Sequence, residues 1–443
     1  MEKGNTGSIA VVKTVLAFIA LAASGALCAA RGQESAVAAT AAIRAETSES
    51  GAESASEPWT ERESLVLQSA AEKYLPWKGF TPLMTWTGEL WGNASGGTKT
   101  GVELDSLITF GFEQDISEAL SSKGLGKLGL TAFYYVSSGD FTSRVGSQSD
   151  PSNIFASDMV RIFEIYYQNE FETEWGAFGF RIGQLAADED FMGMDYADIF
   201  LNSSFGAIPT NAGIDLYNGN GAFSQYALAT LGATVYYNNG DFDAIVGIYN
   251  GNCGMDVSGN HGFDYDLQGV ALWYQLGYNY TLCGLSGRAM FGGNYNSGTF
   301  TNFYTQEGTR NFYSFYWGLQ QDLLTDSEGN AILGGFVRMA WAPDEDTACY
   351  TKYLDVGILW FGPIPDRADD VLALGFSGME LGSGFRRSED INRYDTMLEL
   401  TYRMQMTQAI MLQPTFQTYF NATNERGETK VAYVLGARLE INF

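Results

Sequence analysis

The last thirteen residues constrain the fold more than any other segment. Val431, Tyr433, Leu435, Ala437, Leu439, Ile441 and Phe443 place an apolar side chain at every second position, up to the final residue. Ala432, Val434, Gly436, Arg438, Glu440 and Asn442 fill the gaps, so charge and small size fall on the opposite face. A period of two predicts a strand with one oily side and one wet side.

The same rhythm, broken by turn residues, recurs from Phe80 onward. About sixteen strands are expected, near 81–95, 102–115, 126–137, 158–170, 175–186, 226–238, 243–250, 266–279, 285–297, 310–321, 333–342, 351–360, 371–380, 394–405, 410–421 and 431–443. Their connections alternate in length. Residues 138–157, 187–225, 251–265, 298–309 and 381–393 are long, whereas 171–174, 239–242, 280–284 and 406–409 are short. Long loops at one end and tight turns at the other are the pattern of a transmembrane β-barrel. Hydrocarbon offers no partner to an open sheet edge, so such a sheet must close on itself. The expected fold is all-β: an antiparallel transmembrane barrel of about sixteen strands, wide enough for an aqueous lumen. An even strand count returns both chain ends to one side, expected to be periplasmic.

Residues 1–38 read as a secretory signal: Lys3 and Lys13 precede and flank an apolar run through Val15 to Leu21, and Ala36-Val37-Ala38 offers a small-residue cleavage site. Residues 39–79 read as an acidic periplasmic leader. Thr60-Glu61-Arg62-Glu63 forms a capping box ahead of a short helix over 64–75, which Pro76 ends. The barrel occupies 80–443. A net charge of −27 sets the chain against nucleic acid. Beyond the signal, Cys253 and Cys349 fall in long loops where a disulfide could join them, and Cys283 falls in a short turn.

Enzymatic signals are weak. The single histidine, His261, lies in a long loop without a triad context. Gly124-Leu125-Gly126-Lys127-Leu128-Gly129 matches a dinucleotide glycine pattern, but a strand follows it where a helix is required. It reads as a turn. No metal-ligand spacing appears, and neither a cofactor nor catalysis is expected.

The lumen face carries the informative charges. Alternation turns Arg181, Arg288, Arg338, Asp355, Glu399, Arg403, Arg438 and Glu440 inward. Arg161 and Glu164 share a strand at odd spacing, so a strict period cannot place both inside, and a bulge or a rim position would resolve this. Such charges either border a constriction that hydrogen-bonds solute or pair with one another and brace the wall. Trp86, Trp91, Trp273, Trp317, Trp341 and Trp360 lie near strand ends and read as interface girdles. The 187–225 connection is too long for an idle loop. As the third connection at the long-loop end, counting the one between the first two strands, it is expected to fold inward and narrow the lumen, with Asp188, Glu189, Asp190, Asn202 and Phe205 in the constriction.

Several segments, in order along the chain, carry a family resemblance. Arg161 to Tyr167, Phe180 to Phe191, Phe200 to Gly206, Gly362 to Leu372, Leu398 to Arg403 and Leu412-Gln413-Pro414 together resemble the carbohydrate-selective porin family, the OprB type. The resemblance implies a sixteen-stranded outer-membrane barrel that admits glucose and other small saccharides by facilitated diffusion. It implies that arginine and glutamate line the narrow point, at Arg161, Glu164 and Arg181. An outer-membrane barrel is expected to contact lipid and lipopolysaccharide, and the aromatic Phe443 ending the alternating last strand is expected to be recognised by the barrel-assembly machinery. A nonspecific trimeric diffusion porin and a barrel-anchored surface protein remain as alternatives, and the number of subunits stays open.

Overall fold

The computed structural model describes Leu67 and residues 77–212, 224–264, 266–422 and 430–443. The expected signal and nearly all of the acidic leader, including its 64–75 helix apart from Leu67, lie outside the described residues. The rest is one closed antiparallel barrel of sixteen strands. The strands are β1 (Phe80–Ser95), β2 (Gly101–Asp115), β3 (Lys127–Ser137), β4 (Met159–Thr173), β5 (Gly176–Leu185), β6 (Thr230–Asn238), β7 (Phe242–Asn250) and β8 (Val270–Leu282). They continue with β9 (Leu285–Asn302), β10 (Glu307–Thr325), β11 (Ala331–Trp341), β12 (Tyr350–Phe361), β13 (Val371–Leu381), β14 (Tyr394–Thr407), β15 (Ile410–Tyr419) and β16 (Ala432–Asn442).

Each strand pairs with its neighbours in sequence, and β16 returns to β1 with Glu89 opposite Arg438. A charge pair locks that seam. Arg438 donates to Glu89 at 2.6–2.7 Å, and the Trp91 indole donates to the other Glu89 oxygen at 2.8 Å. The outward side of β16 exposes Tyr433 and Leu435, whereas Ala432 and Val434 are fully buried inside, as the alternation predicts. Lipid-facing Leu90, Leu104, Val160, Ile182, Val235 and Ile248 are similarly exposed around the wall.

Turns of two or three residues, 174–175, 239–241, 283–284 and 408–409, sit at the terminus-bearing end, where β1 begins and β16 finishes. Gly124 and Gly126, both at positive φ, belong to the 116–126 turn before β3, so the glycine motif is a turn. The longest connections, 138–158 and 186–229, lie at the other end. One expected loop is instead mostly strand: residues 298–302 and 307–309 extend β9 and β10, leaving only 303–306 as a turn. Buried Phe300 and Phe312, 5.7 Å apart, give this protruding hairpin its own apolar contact.

Two tryptophans depart from the girdle expectation. Trp317, Trp341 and Trp360 are exposed on the outer face, but Trp91 and Trp273 are each 1 % exposed and point inward. Proximity to a strand end does not decide the face; the register does, and inward-folded connections bury these two rings against Phe141 and Phe191.

The β4 irregularity is a bulge at Phe163. Thr131 pairs Glu164 while the next residue, Ala132, pairs Ile162. Arg161, Phe163 and Glu164 are all buried inside as a result. The Gln184 side chain donates to the carbonyls of Ile162 and Phe163 at 3.0 and 2.7 Å, satisfying the distorted backbone. Deleting Phe163 should restore strict alternation with Arg161 and Glu164 both still inward, but it removes a buried ring packed on Phe133 at 4.6 Å, at a cost of roughly 3 kcal/mol or more. The folded fraction, read as the compact band in unheated electrophoresis, should fall sharply; an unchanged fraction would show that the bulge is dispensable.

Candidate functional site: an inward loop across the lumen

The long β5–β6 connection enters the barrel. It contains the short helices α1 (Ala187–Asp190) and α2 (Pro209–Ala212) and a 3-10 turn at Ser203–Phe205. Phe191, Met192, Met194, Phe200, Leu201, Phe205 and Ile208 are 0–4 % exposed, because they pack on the inner wall. This apolar layer holds the segment in a lumen that would otherwise be wet.

Polar bonds fix it strand by strand. The Met192 amide donates to the Gln275 side chain of β8 at 3.0 Å, and Asn211 donates to Ser314 of β10 at 2.8 Å. Arg338 of β11 donates to the carbonyl oxygens of Met192 at 3.0 Å, Gly206 at 3.2 Å and Phe205. The Tyr353 hydroxyl of β12 donates to Ser204 O at 2.5 Å, and Ser204 Oγ donates to Ser377 of β13 at 2.8 Å. The two carboxylate oxygens of Glu399, on β14, accept the Leu201 and Asn202 amides at 3.0 Å each. Asn202 Nδ2 reaches the Tyr419 hydroxyl of β15 at 2.8 Å. Backbone groups without helical or sheet partners are thus paid for by wall side chains.

The predicted site residues sort by this geometry. Arg338 and Asp355 face each other across β11 and β12, are fully buried, and bond directly at 2.6–3.0 Å. Glu399 is fully buried as well. Asn202 and Phe205 lie inside the loop's packed layer. Arg181 sits between Glu164 at 2.9 Å and Asp190 at 2.8 Å, over the Tyr166 ring at 4.2 Å. Glu164 also accepts the Ala186 amide at 2.9 Å where the chain leaves β5. Asp188 accepts the Tyr226 amide at 2.8 Å where the loop returns. Glu189 completes the acidic helix between them and is half-buried. Arg403 stands apart, half-buried on β14 opposite Val371 near the terminus-bearing mouth.

Arg161 serves a second connection. Its side chain is fully enclosed, pairs with Asp256 at 2.9 Å and donates to the carbonyls of Asn260, Ala227 and Val257 at 2.8–3.1 Å. The β7–β8 loop is thereby laid along the free edge of β4. There the Ile162 amide donates to His261 O at 3.1 Å, and the His261 ring lies 2.9 Å from Val160 O. His261 therefore patches a sheet edge. Cys253 and Cys349 are buried in their loops, and no disulfide joins them.

Sequence reasoning missed Gln275, Ser314, Tyr353 and Ser377 as loop holders. Their signal was present: each is a polar side chain on the lumen face of a strand whose outward neighbours are apolar. It also passed over Asp195 and Asp198, which the loop leaves exposed in the lumen.

Burial acts on the loop's acids. Desolvation raises the Asp188 carboxyl to about 7 against the opposing Tyr226 hydrogen bond, and lifts Glu189 well above its usual range, helped by the nearby Glu164 and Asp188 charges. A carboxyl raised on folding stabilises the inward state fully below the unfolded pKa near 4 and loses that contribution as pH rises through 7. Current noise from loop motion should accordingly be greater at pH 8.5 than at pH 5; equal noise at both would remove these acids from the balance.

A closed sixteen-strand barrel, oily outside and narrowed by an inward loop, defines a channel protein of the outer-membrane porin class. The chain belongs to the carbohydrate-selective porin, OprB family, which matches residues 108–443. It is an outer-membrane carbohydrate channel and not an enzyme. Among solved structures, Pseudomonas putida OprB at high pH is similar at a TM-score of 0.71 and 17 % identity, covering 85 % of this chain and 96 % of that one. The low-pH structure of the same protein is similar at 0.51 and 14 % identity, covering 85 % and 95 %. These likenesses concern the fold. No curated protein matches the sequence.

Proposed function

We propose that small saccharides cross by passive diffusion through the passage left beside the inward β5–β6 loop, and that this loop is the constriction. The observation that carries the reading is the bonding of one connection to β8 and to every strand from β10 to β15, which makes the narrowing a fixed part of the wall. Arg338, Asp355, Glu399 and Arg181 act mainly by holding that segment, since all four are buried against protein partners and present little surface to a solute. Solute then meets the exposed Asp195 and Asp198, weakly enough to leave again.

The barrel stands with both chain ends in the periplasm and its long loops outward among lipopolysaccharide. Short turns at the terminus-bearing end support this orientation. Phe443, at the end of the lipid-patterned β16, is the group the assembly machinery would read. Residues 1–38 are the export signal.

Uptake by protein-loaded liposomes tests the reading. Glucose should enter faster than a neutral amino acid of similar size. Equal rates would indicate a nonspecific pore, and no flux at all would indicate a barrel used as an anchor.

A further inference from the structure

A cavity of about 590 Å³ opens at the terminus-bearing mouth, below the inward loop. That volume lies within the usual range of small-molecule sites. Asp195 of the loop, Asp241 of the β6–β7 turn, Asn279 of β8, Arg288 of β9, and Gln320 and Asp322 of β10 border it. From this we propose that the cavity is a saccharide subsite that takes neutral and amino sugars and rejects acidic ones. The proposal rests on the carbohydrate-channel reading and adds its substrate class.

The lining has both halves of hydroxyl recognition. Carboxylates accept from hydroxyls, and the Asn279 and Gln320 amides can offer both donor and acceptor. Arg288, the single cation among the lining residues, is already matched: it bonds Asp243 through two nitrogens at 2.5 and 2.9 Å. Gly277 makes that pair fit, since a Cβ there would fall 2.2–2.3 Å from both side chains. Asp195, Asp241 and Asp322 therefore remain as net negative charge. Asp195 accepts from Gln320 at 3.3 Å, and Asp322 accepts the Tyr196 hydroxyl, so the loop itself forms one wall of the cavity. A solute leaving the constriction on this side meets three carboxylates within a partly enclosed space, where like charge is poorly screened. A neutral pyranose exchanges hydroxyl bonds with them, an ammonium group gains attraction, and a sugar carboxylate meets repulsion.

The test measures uptake of glucose, glucosamine and glucuronate into liposomes at about 0.1 M salt, where screening is moderate. Wild-type protein should pass glucosamine and glucose and pass glucuronate on the order of tenfold more slowly. Asp241→Asn with Asp322→Asn should narrow that gap several-fold, read as the ratio of glucose to glucuronate rates in the same vesicles, and asparagine keeps an acceptor for the Tyr196 hydroxyl. Arg288→Gln should widen it, an opposite sign that general misfolding would not produce. Equal glucose and glucuronate uptake by the wild type, or a gap unmoved by both variants, would overturn the subsite. Failure of the wild type to pass any of the three would instead overturn the carbohydrate-channel reading.

Discussion

Arg338→Ala should release the inward loop and raise single-channel conductance while the barrel stays closed. Arg338 ties three loop carbonyls to Asp355, and both side chains are fully buried. Removing it leaves Asp355 with the Arg338 backbone amide at 3.0 Å and the Tyr353 hydroxyl at 2.9 Å. Breaking one half of a buried ion pair costs about 3–5 kcal/mol, because the remaining charge stays desolvated. The wall has sheet pairing on both sides of β11 to absorb that loss, whereas the loop depends on such side-chain ties. Arg338→Met with Asp355→Leu separates the two effects. It removes the stranded charge and should restore thermal stability, but the loop carbonyls still lack their donor, so conductance should stay high. Wild-type conductance in the single variant would sink the account of Arg338 as a loop holder.

Gly375→Val should open the same passage by a different route. Phe200 and Phe205 stack at 4.3 Å, and Phe336 lies 6.0 Å from Phe200. Their socket exists because β13 carries no side chain at Gly375. A Cβ there would fall 2.6 Å from the Phe200 ring and 2.8 Å from that of Phe205. Valine is at home in a strand, so β13 should keep its ladders to β12 and β14. Overpacking costs on the order of 1–3 kcal/mol, and the movable partner is the loop. Conductance in planar bilayers should rise and the discrimination between sugars and amino acids should fall. A valine variant with wild-type conductance would mean that the aromatic pair does not seat the loop.

The barrel was legible because its physics is local. Lipid requires an apolar side chain at every second position, so Leu398, Leu400 and Tyr402 against Glu399, Thr401 and Arg403 reveal strand, face and period without any tertiary contact. The odd spacing of Arg161 and Glu164 pointed to a bulge or a rim position, and only the pairing of β3 with β4 decided for a bulge at Phe163. The destination of the lumen charges was not. Alternation turns Arg338 inward but does not say whether it meets water or a backbone carbonyl 132 residues away. Trp91 and Trp273 failed for the same reason: a ring near a strand end suits a membrane interface or a packed interior equally, until the opposing surface is known.

By itself, then, the chain's alternation determined a closed sixteen-strand wall, its inside and its outside, and the connection most suited to enter the lumen. Only the tertiary structure decided what fills that interior. Residues 186–229 bring Phe191, Phe200 and Phe205 against strands that follow them by up to two hundred positions, and the buried charges are consumed in fixing that contact. The difference has a physical cause. Which face meets lipid depends on each residue's nearest neighbours along its own strand, whereas the width of the passage depends on whether distant segments can satisfy one another's hydrogen bonds once water is displaced.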